Sequence, residues 1–182
     1  SSDDEVVVRT GVTPPGMANV TVRADTGAWV SLPAAFEVLK PGQIDTVEPA
    51  FGQAGTRVTL RGTGLMADGA NLTRATLSNV EAMVLQANST TVLLIAADGT
   101  PSLGDVVLVA DTEGRVEKAD AWEYRSRGQV SSITPSSGHE GTEVLILGQN
   151  LLGHGNDLAS VRLGGVEARL RDRNNYFARV VA

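Results

Sequence analysis

Apolar and polar residues alternate along much of this chain with a period of two. Arg57-Val58-Thr59-Leu60-Arg61 sets Val58 and Leu60 on one face and Thr59 and Arg61 on the other, the pattern of a strand that buries a single face. The run ends at Gly62-Thr63-Gly64, a turn signal. Short β-branched runs at 90–96 and 105–110 are bounded by Asp98-Gly99-Thr100-Pro101 and by Asp111-Thr112-Glu113-Gly114, both turn clusters. Strands are predicted near 43–48, 56–61, 74–78, 80–86, 90–96, 105–110 and 116–124. The stretch Leu163–Arg171 reads as strand–turn–strand about Gly164-Gly165. No segment sustains a 3.6-residue apolar period, so no amphipathic helix is predicted. Short strands at roughly 8–12-residue spacing describe a small antiparallel β-sandwich, an all-β fold.

The pattern also repeats. Gly42-Gln43-Ile44-Asp45-Thr46-Val47-Glu48-Pro49 returns as Gly128-Gln129-Val130-Ser131-Ser132-Ile133-Thr134-Pro135, 86 residues later. The register then holds without a gap: Gly52, Gly55, Thr56, Val58, Gly62 and Leu65 fall on Gly138, Gly141, Thr142, Val144, Gly148 and Leu151. The same offset carries Ala35-Phe36-Glu37 onto Ala121-Trp122-Glu123, and Val20 onto Val106. Agreement at one fixed offset along nearly the whole chain is the mark of a structural repeat. The expected organisation is the end of one unit at 1–39, a complete unit at 40–125 and the start of another at 126–182. A partial unit exposes its core and should not fold alone at this size. The chain is therefore expected to be cut from a longer polypeptide, or else to draw the missing strands from a neighbouring copy.

The run Ile44-x-x-Val47-x-Pro49-x-x-Gly52-x-x-Gly55-Thr56-x-Val58-Thr59-Leu60-x-Gly62-x-Gly64-Leu65 resembles the opening of an IPT/TIG domain. Residues 133–151 state it a second time, and Val161-Arg162-Leu163-Gly164-Gly165-Val166 resembles the family's third strand. Trp122-Glu123-Tyr124 and Phe36-Glu37-Val38 resemble its closing strand. The resemblance implies tandem immunoglobulin-like sandwiches with no chemistry of their own, found in receptors, in large extracellular proteins, beside polysaccharide enzymes and in some transcription factors. Many extracellular members carry a cysteine pair where this chain has Ala82 with Ala96, and again Ala168 with Ala182. Both partners are missing together, so the chain resembles a cysteine-free branch in which a small apolar residue fills the place of a bridge. On this reading Pro49 and Pro135 remove a donor where the first strand leaves its sheet. Gly52 and Gly55 supply positive φ, Gly62 and Gly64 let the chain bend, and Phe36 and Trp122 each lend a core one large ring.

Composition narrows the chemistry. The 182 residues include 20 Gly, 7 Pro, two Trp, two Tyr, three Phe and no Cys. Absence of cysteine excludes a disulfide framework, a cysteine-based zinc site and a thiol nucleophile. The net charge of −6, with scattered basic residues, argues against nucleic acid as a partner. The apolar runs fall far short of the roughly 20 residues that span a bilayer. His139 and His154 read as surface turn residues, and neither has metal-ligand spacing. Ser136-Ser137-Gly138-His139 lies on one turn and makes no triad. Acidic residues at Asp3-Asp4-Glu5, Asp68, Asp98 and Asp111-Thr112-Glu113 form no calcium loop, and Asp111, repeated as Asp25, reads as a turn former. The glycine-rich turns lack the lysine and helix of a phosphate loop. No catalytic set, metal or cofactor is expected.

Three N-x-T sequons stand out: Asn19-Val20-Thr21, Asn71-Leu72-Thr73 and Asn88-Ser89-Thr90. They mark N-glycan acceptors in a secreted eukaryotic protein and mean nothing in a bacterial one. Only Arg125-Ser126-Arg127 separates the second closing strand from the next opening glycine. Adjacent units should therefore touch end to end as a semi-rigid rod. In the third unit the outward pair Thr59 and Arg61 has become Leu145 and Leu147, a candidate contact with a neighbouring repeat or another chain. The expected role is a structural or adhesive spacer in a long extracellular or cell-surface repeat protein or filament. Its expected partners are its own neighbouring repeats, other copies or other surface proteins. The alternative is an accessory carbohydrate-associated module of a bacterial surface protein or polysaccharide enzyme, for which Trp29 is the one candidate exposed aromatic.

Overall fold

In a computed structural model that describes Val8, Gly11 and residues 13–182, every regular element is a strand. Two compact units divide the chain, 1–41 and 42–182. The acidic run Asp3-Asp4-Glu5 lies outside the described residues.

The first unit holds a hairpin of β1 (Gly16–Arg23) and β2 (Trp29–Val38). They pair antiparallel from Arg23 opposite Trp29 out to Gly16 opposite Val38, with a bulge between Ala18 and Val20. Asn19 falls inside this strand, at the bulge, rather than just before it as the alternation implied. A lone hairpin has no second layer to dry its apolar side chains. Phe36, expected in a core, is accordingly 43% exposed.

The second unit begins with a complete sandwich. One sheet has the order β3 (Gln43–Glu48), β5 (Arg57–Thr63), β9 (Thr91–Ile95), β8 (Met83–Ala87). The other has the order β4 (Phe51–Gly52), β11 (Arg115–Tyr124), β10 (Ser102–Ala110), β6 (Leu72–Leu77), β7 (Val80–Glu81). Val58, Leu60, Val92 and Leu94 point inward from the first sheet, and Val106, Leu108, Val116 and Trp122 from the second; all are buried. The Trp122 ring meets Tyr124 edge-on, with centroids 5.5 Å apart and planes at 84°, a favourable aromatic geometry. Burial raises the Tyr124 phenol pKa, and the nearby Asp98 charge raises it further.

The single strand predicted over 80–86 is divided. Its first residues stay with β6 in one sheet and β8 crosses to the other, with Ala82 buried at the crossing. Ala82 and Ala96 both lie in the core, where small apolar side chains fit. Gly55 does hold positive φ, at 86°. Gly52 does not; a Cβ there would collide with the Thr56 side chain. Gly62 lies inside β5, where a Cβ would strike the Gln43 carbonyl of the paired strand. Both glycines serve close approach, Gly52 in place of the expected positive φ and Gly62 in place of the expected bend.

The last sheet has the order β12 (Gln129–Thr134), β13 (Glu143–Gln149), β16 (Phe177–Val181), β15 (Val166–Arg173), β14 (Val161–Leu163). Its pairings repeat those of the sandwich at the same offset. Val58 opposite Leu94 becomes Val144 opposite Val180, and the bulge at Ile44–Thr46 becomes one at Val130–Ser132. The predicted strand–turn–strand is present, its turn formed by Gly164 and Gly165, both at positive φ. A smaller core of Val144, Ile146, Ala168, Ala178 and Val180 lies on this sheet.

Candidate functional site

A group of side-chain contacts outside the cores sits where the sandwich passes into the last sheet. Residues 125–128 are too few to form a free linker, so the end of β11 is delivered directly against the loop after β13. Gln53, in the turn after β4, accepts from the Gly128 N–H at 2.8 Å through Oε1. The same carboxamide lies beside Gly153, which holds a φ of 59°. His154 Nε2 donates to the Ser126 carbonyl at 2.7 Å, which makes Nε2 the protonated nitrogen. Arg127 pairs with Asp98 at 2.9 Å, and Arg125 stacks its guanidinium 3.7 Å from the centre of the Phe51 ring while bonding Glu123 at 3.0 Å. Two small open cavities of about 280 and 290 Å³ flank His154.

His154 is therefore more than the surface turn residue expected of it: it ties the loop after β13 to the connection that leaves the sandwich. His139 keeps the expected role. Its N–H donates to Thr142 Oγ1 at 3.0 Å, as the Gln53 N–H does to Thr56 Oγ1 at 3.1 Å. Sequence reasoning missed Gln53 because its own turn is a repeat feature. The usable signal was the shortness of 125–128, which forces that turn onto the following loop. In the loop, Asp157 binds Arg173, and the hydrogen bond to the guanidinium lowers the Asp157 carboxyl pKa.

The sequons occupy three different settings. Asn88 is exposed ahead of β9, and its Oδ1 accepts from the Thr90 N–H at 2.9 Å, the Thr90 hydroxyl at 3.1 Å and the Thr91 N–H at 2.8 Å. Asn71 is exposed at the start of β6, where its N–H donates to Asp111 Oδ2 at 3.0 Å. Asn19 is exposed but spends its Oδ1 on the Ala34 N–H at 2.9 Å. Asp111, expected to shape its own turn, instead bonds both Ala70 and Asn71 across the sheet end.

Leu145 is half-buried and Leu147 is 40% exposed on the outer face of β13. Leu147 stands opposite Phe177 of β16 and Leu145 opposite Arg179, so the outer face mixes apolar side chains with one guanidinium. Among the described residues no three His, Cys, Asp or Glu side chains gather to hold a metal. No helix there is long and apolar enough to cross a membrane.

Comparison with known proteins fits this geometry. A model of the IPT/TIG domain matches residues 43–123, the span of the closed sandwich. Residues 43–123 are an IPT/TIG domain. The family is one of non-catalytic immunoglobulin-like domains. No curated protein sequence matches the chain. Among solved structures, the extracellular region of plexin A4 is similar to 88% of this chain at 20% identity, with a TM-score of 0.51 over 15% of its own length. An auxiliary nutrient binding protein from Bacteroides thetaiotaomicron VPI-5482 is 21% identical over 51% of this chain and 23% of its own, with a TM-score of 0.41. SGBP-B from a xyloglucan utilization locus in Bacteroides uniformis is 17% identical over 78% of this chain and 42% of its own, with a TM-score of 0.35. The chain thus spans less than half the length of each, and the likeness to plexin A4 is one of fold.

Proposed function

We propose that this chain is a structural and adhesive spacer of an extracellular or cell-surface protein, in which IPT/TIG units at 40–125 and 126–182 follow one another as a stiff pair after the closing strands of a unit ending near residue 39. The observation that carries the reading is the bonded junction. The Gln53–Gly128 and His154–Ser126 hydrogen bonds and the Arg127–Asp98 pair leave the short connection little freedom to swing. A spacer must transmit position along its length, and a tied junction does so where a flexible linker would not. The exposed sequons at Asn71 and Asn88, with Asn19 a third candidate, suit a secreted surface coated with N-glycans. Leu145 and Leu147 offer a lateral contact beside it. The reading assigns no catalytic role, and the IPT/TIG family adds none.

Paramagnetic labels on cysteines introduced at exposed Gln86 and Glu167 test the stiffness, since the chain has no cysteine of its own. A narrow distance distribution is expected, broadened by Gln53→Ala with His154→Ala. A distribution already broad in the parent chain overturns the reading. The carbohydrate-associated module remains as a second reading because Trp29 is 67% exposed and an indole face can stack on a sugar. The other exposed rings among the described residues, Phe36 and Tyr176, form no aromatic pair with it, so the spacer is favoured.

A further inference from the structure

The closed IPT/TIG sandwich has four edge strands, β3 and β8 in one sheet and β4 and β7 in the other. An edge strand presents a row of backbone N–H and C=O groups on which another strand can pair. Three of the four carry a device against that. β4 and β7 are two residues each, too short to serve as templates. β3 carries Asp45 and Glu48 and runs into Pro49, and Lys118 Nζ donates to the Asp45 carbonyl. The fourth edge, β8, is Met83-Val84-Leu85-Gln86-Ala87. It has no charge and no proline, and Met83 and Leu85 are 57% and 45% exposed.

The counterpart of β8 at the 86-residue offset is the second part of β15, and it is charged. Met83, Leu85 and Ala87 become Arg169, Arg171 and Arg173, and Gln86 becomes Asp172. The residue between stays apolar, Val84 in one and Leu170 in the other. Both strands carry the same bulge, between Val84 and Gln86 in β8 and between Leu170 and Asp172 in β15. The bulge is therefore common to the two, and the charge is not. The sequon has the reverse distribution. Asn88-Ser89-Thr90 follows β8 directly, whereas its counterpart Asn174-Asn175-Tyr176 has no threonine and is no acceptor. The uncharged edge has the sequon, and the charged edge does without one.

Asn88 opens the turn between β8 and β9 and is exposed. Its Oδ1 takes the three bonds that hold the turn, so the amide nitrogen, where a glycan attaches, is not spent on them. The five residues of β8 extend about 16 Å from there at roughly 3.3 Å per residue, and a glycan rooted at the strand's end is bulky enough to screen that length. We propose that an N-glycan on Asn88 shields the free edge of β8, in the place of the arginines that the next unit carries, and that without it β8 pairs antiparallel with β8 of a second copy. The inference rests on the glycoprotein part of the reading above.

The shield is tested with Leu85→Cys in the chain secreted from a eukaryotic host. The chain has no cysteine of its own, and a two-fold antiparallel pairing centred on β8 sets Leu85 against Leu85. On oxidation the glycosylated Leu85→Cys chain should stay single. It should give cross-linked pairs, read by non-reducing electrophoresis, once Asn88→Gln or Thr90→Val removes the sugar. Thr90→Val keeps both backbone bonds of the Asn88 turn, so agreement of the two variants separates loss of the glycan from loss of the turn. Asn71→Gln, at the start of β6, should leave the chain single. Met83→Arg with Ala87→Arg, added to Asn88→Gln, should abolish the cross-link. Buried-tryptophan emission from Trp122 checks that the sandwich stays folded. Cross-links as frequent with an occupied Asn88 as without it, none in the glycan-free variants, or cross-links that survive the added arginines would each overturn the inference and leave the glycoprotein reading standing. An Asn88 found bare by peptide mass would overturn both.

Discussion

At Asn88 the side-chain oxygen gathers three donors from the two following threonines, an Asx turn that brings the Thr90 hydroxyl against the carboxamide. A sequon needs that amide group exposed and its threonine close, and Asn88 meets both conditions. Asn71 is exposed on a loop end held from behind by Asp111. Asn19, by contrast, is held at a strand bulge by Ala34. Native protein treated with an N-glycan-removing enzyme is expected to lose mass in two whole-glycan steps, one of which disappears in Asn88→Gln. An unchanged mass removes the glycoprotein reading. The sequons were legible as three-letter patterns because acceptor chemistry is local. The role of Asp111 was not, because its partners lie 40 and 41 residues away and only the closed sandwich brings them to it.

Among the elements, β13 departs from its counterpart β5 on its outward face. Both strands bury the same pair, Val58 and Leu60 in β5, Val144 and Ile146 in β13. The outward pair changes from Thr59 and Arg61 to Leu145 and Leu147, with Phe177 opposite Leu147 and Arg179 opposite Leu145 on β16. Full burial of two leucines is worth roughly 3–6 kcal/mol at about 1.5–3 kcal/mol each, and the partial exposure here leaves only part of that for a partner. Leu145→Thr with Leu147→Arg is expected to leave the unfolding free energy within about 0.5 kcal/mol, as surface changes do. It should weaken association at least about tenfold, equivalent to about 1.4 kcal/mol. Association unchanged by the double substitution, measured by sedimentation, removes it as an interface.

For the whole molecule, what matters is which faces find a second layer. Trp122 and Phe36 are counterparts in the repeat, yet Trp122 is buried between two sheets and Phe36 sits on a hairpin with one face open. Trp122→Ala is expected to cost about 3–5 kcal/mol, the range for truncating a buried aromatic. Phe36→Ala should cost no more than about 0.5 kcal/mol. Denaturant unfolding followed by circular dichroism distinguishes them, and equal costs would mean that the hairpin is packed as a core. Sequence alone indicated most of the strands, the inward residues of the sandwich and the IPT/TIG resemblance of residues 43–123. These follow from alternation and turn chemistry, which act over a few residues and recur wherever the pattern does. Only the tertiary structure decided which inward residues were covered, that the 80–86 strand divides between two sheets, that Gly62 is needed for the approach of Gln43, and that Gln53 and His154 tie the junction. Each of these depends on a partner dozens of residues away, and a period read along one strand carries no record of what stands across from it.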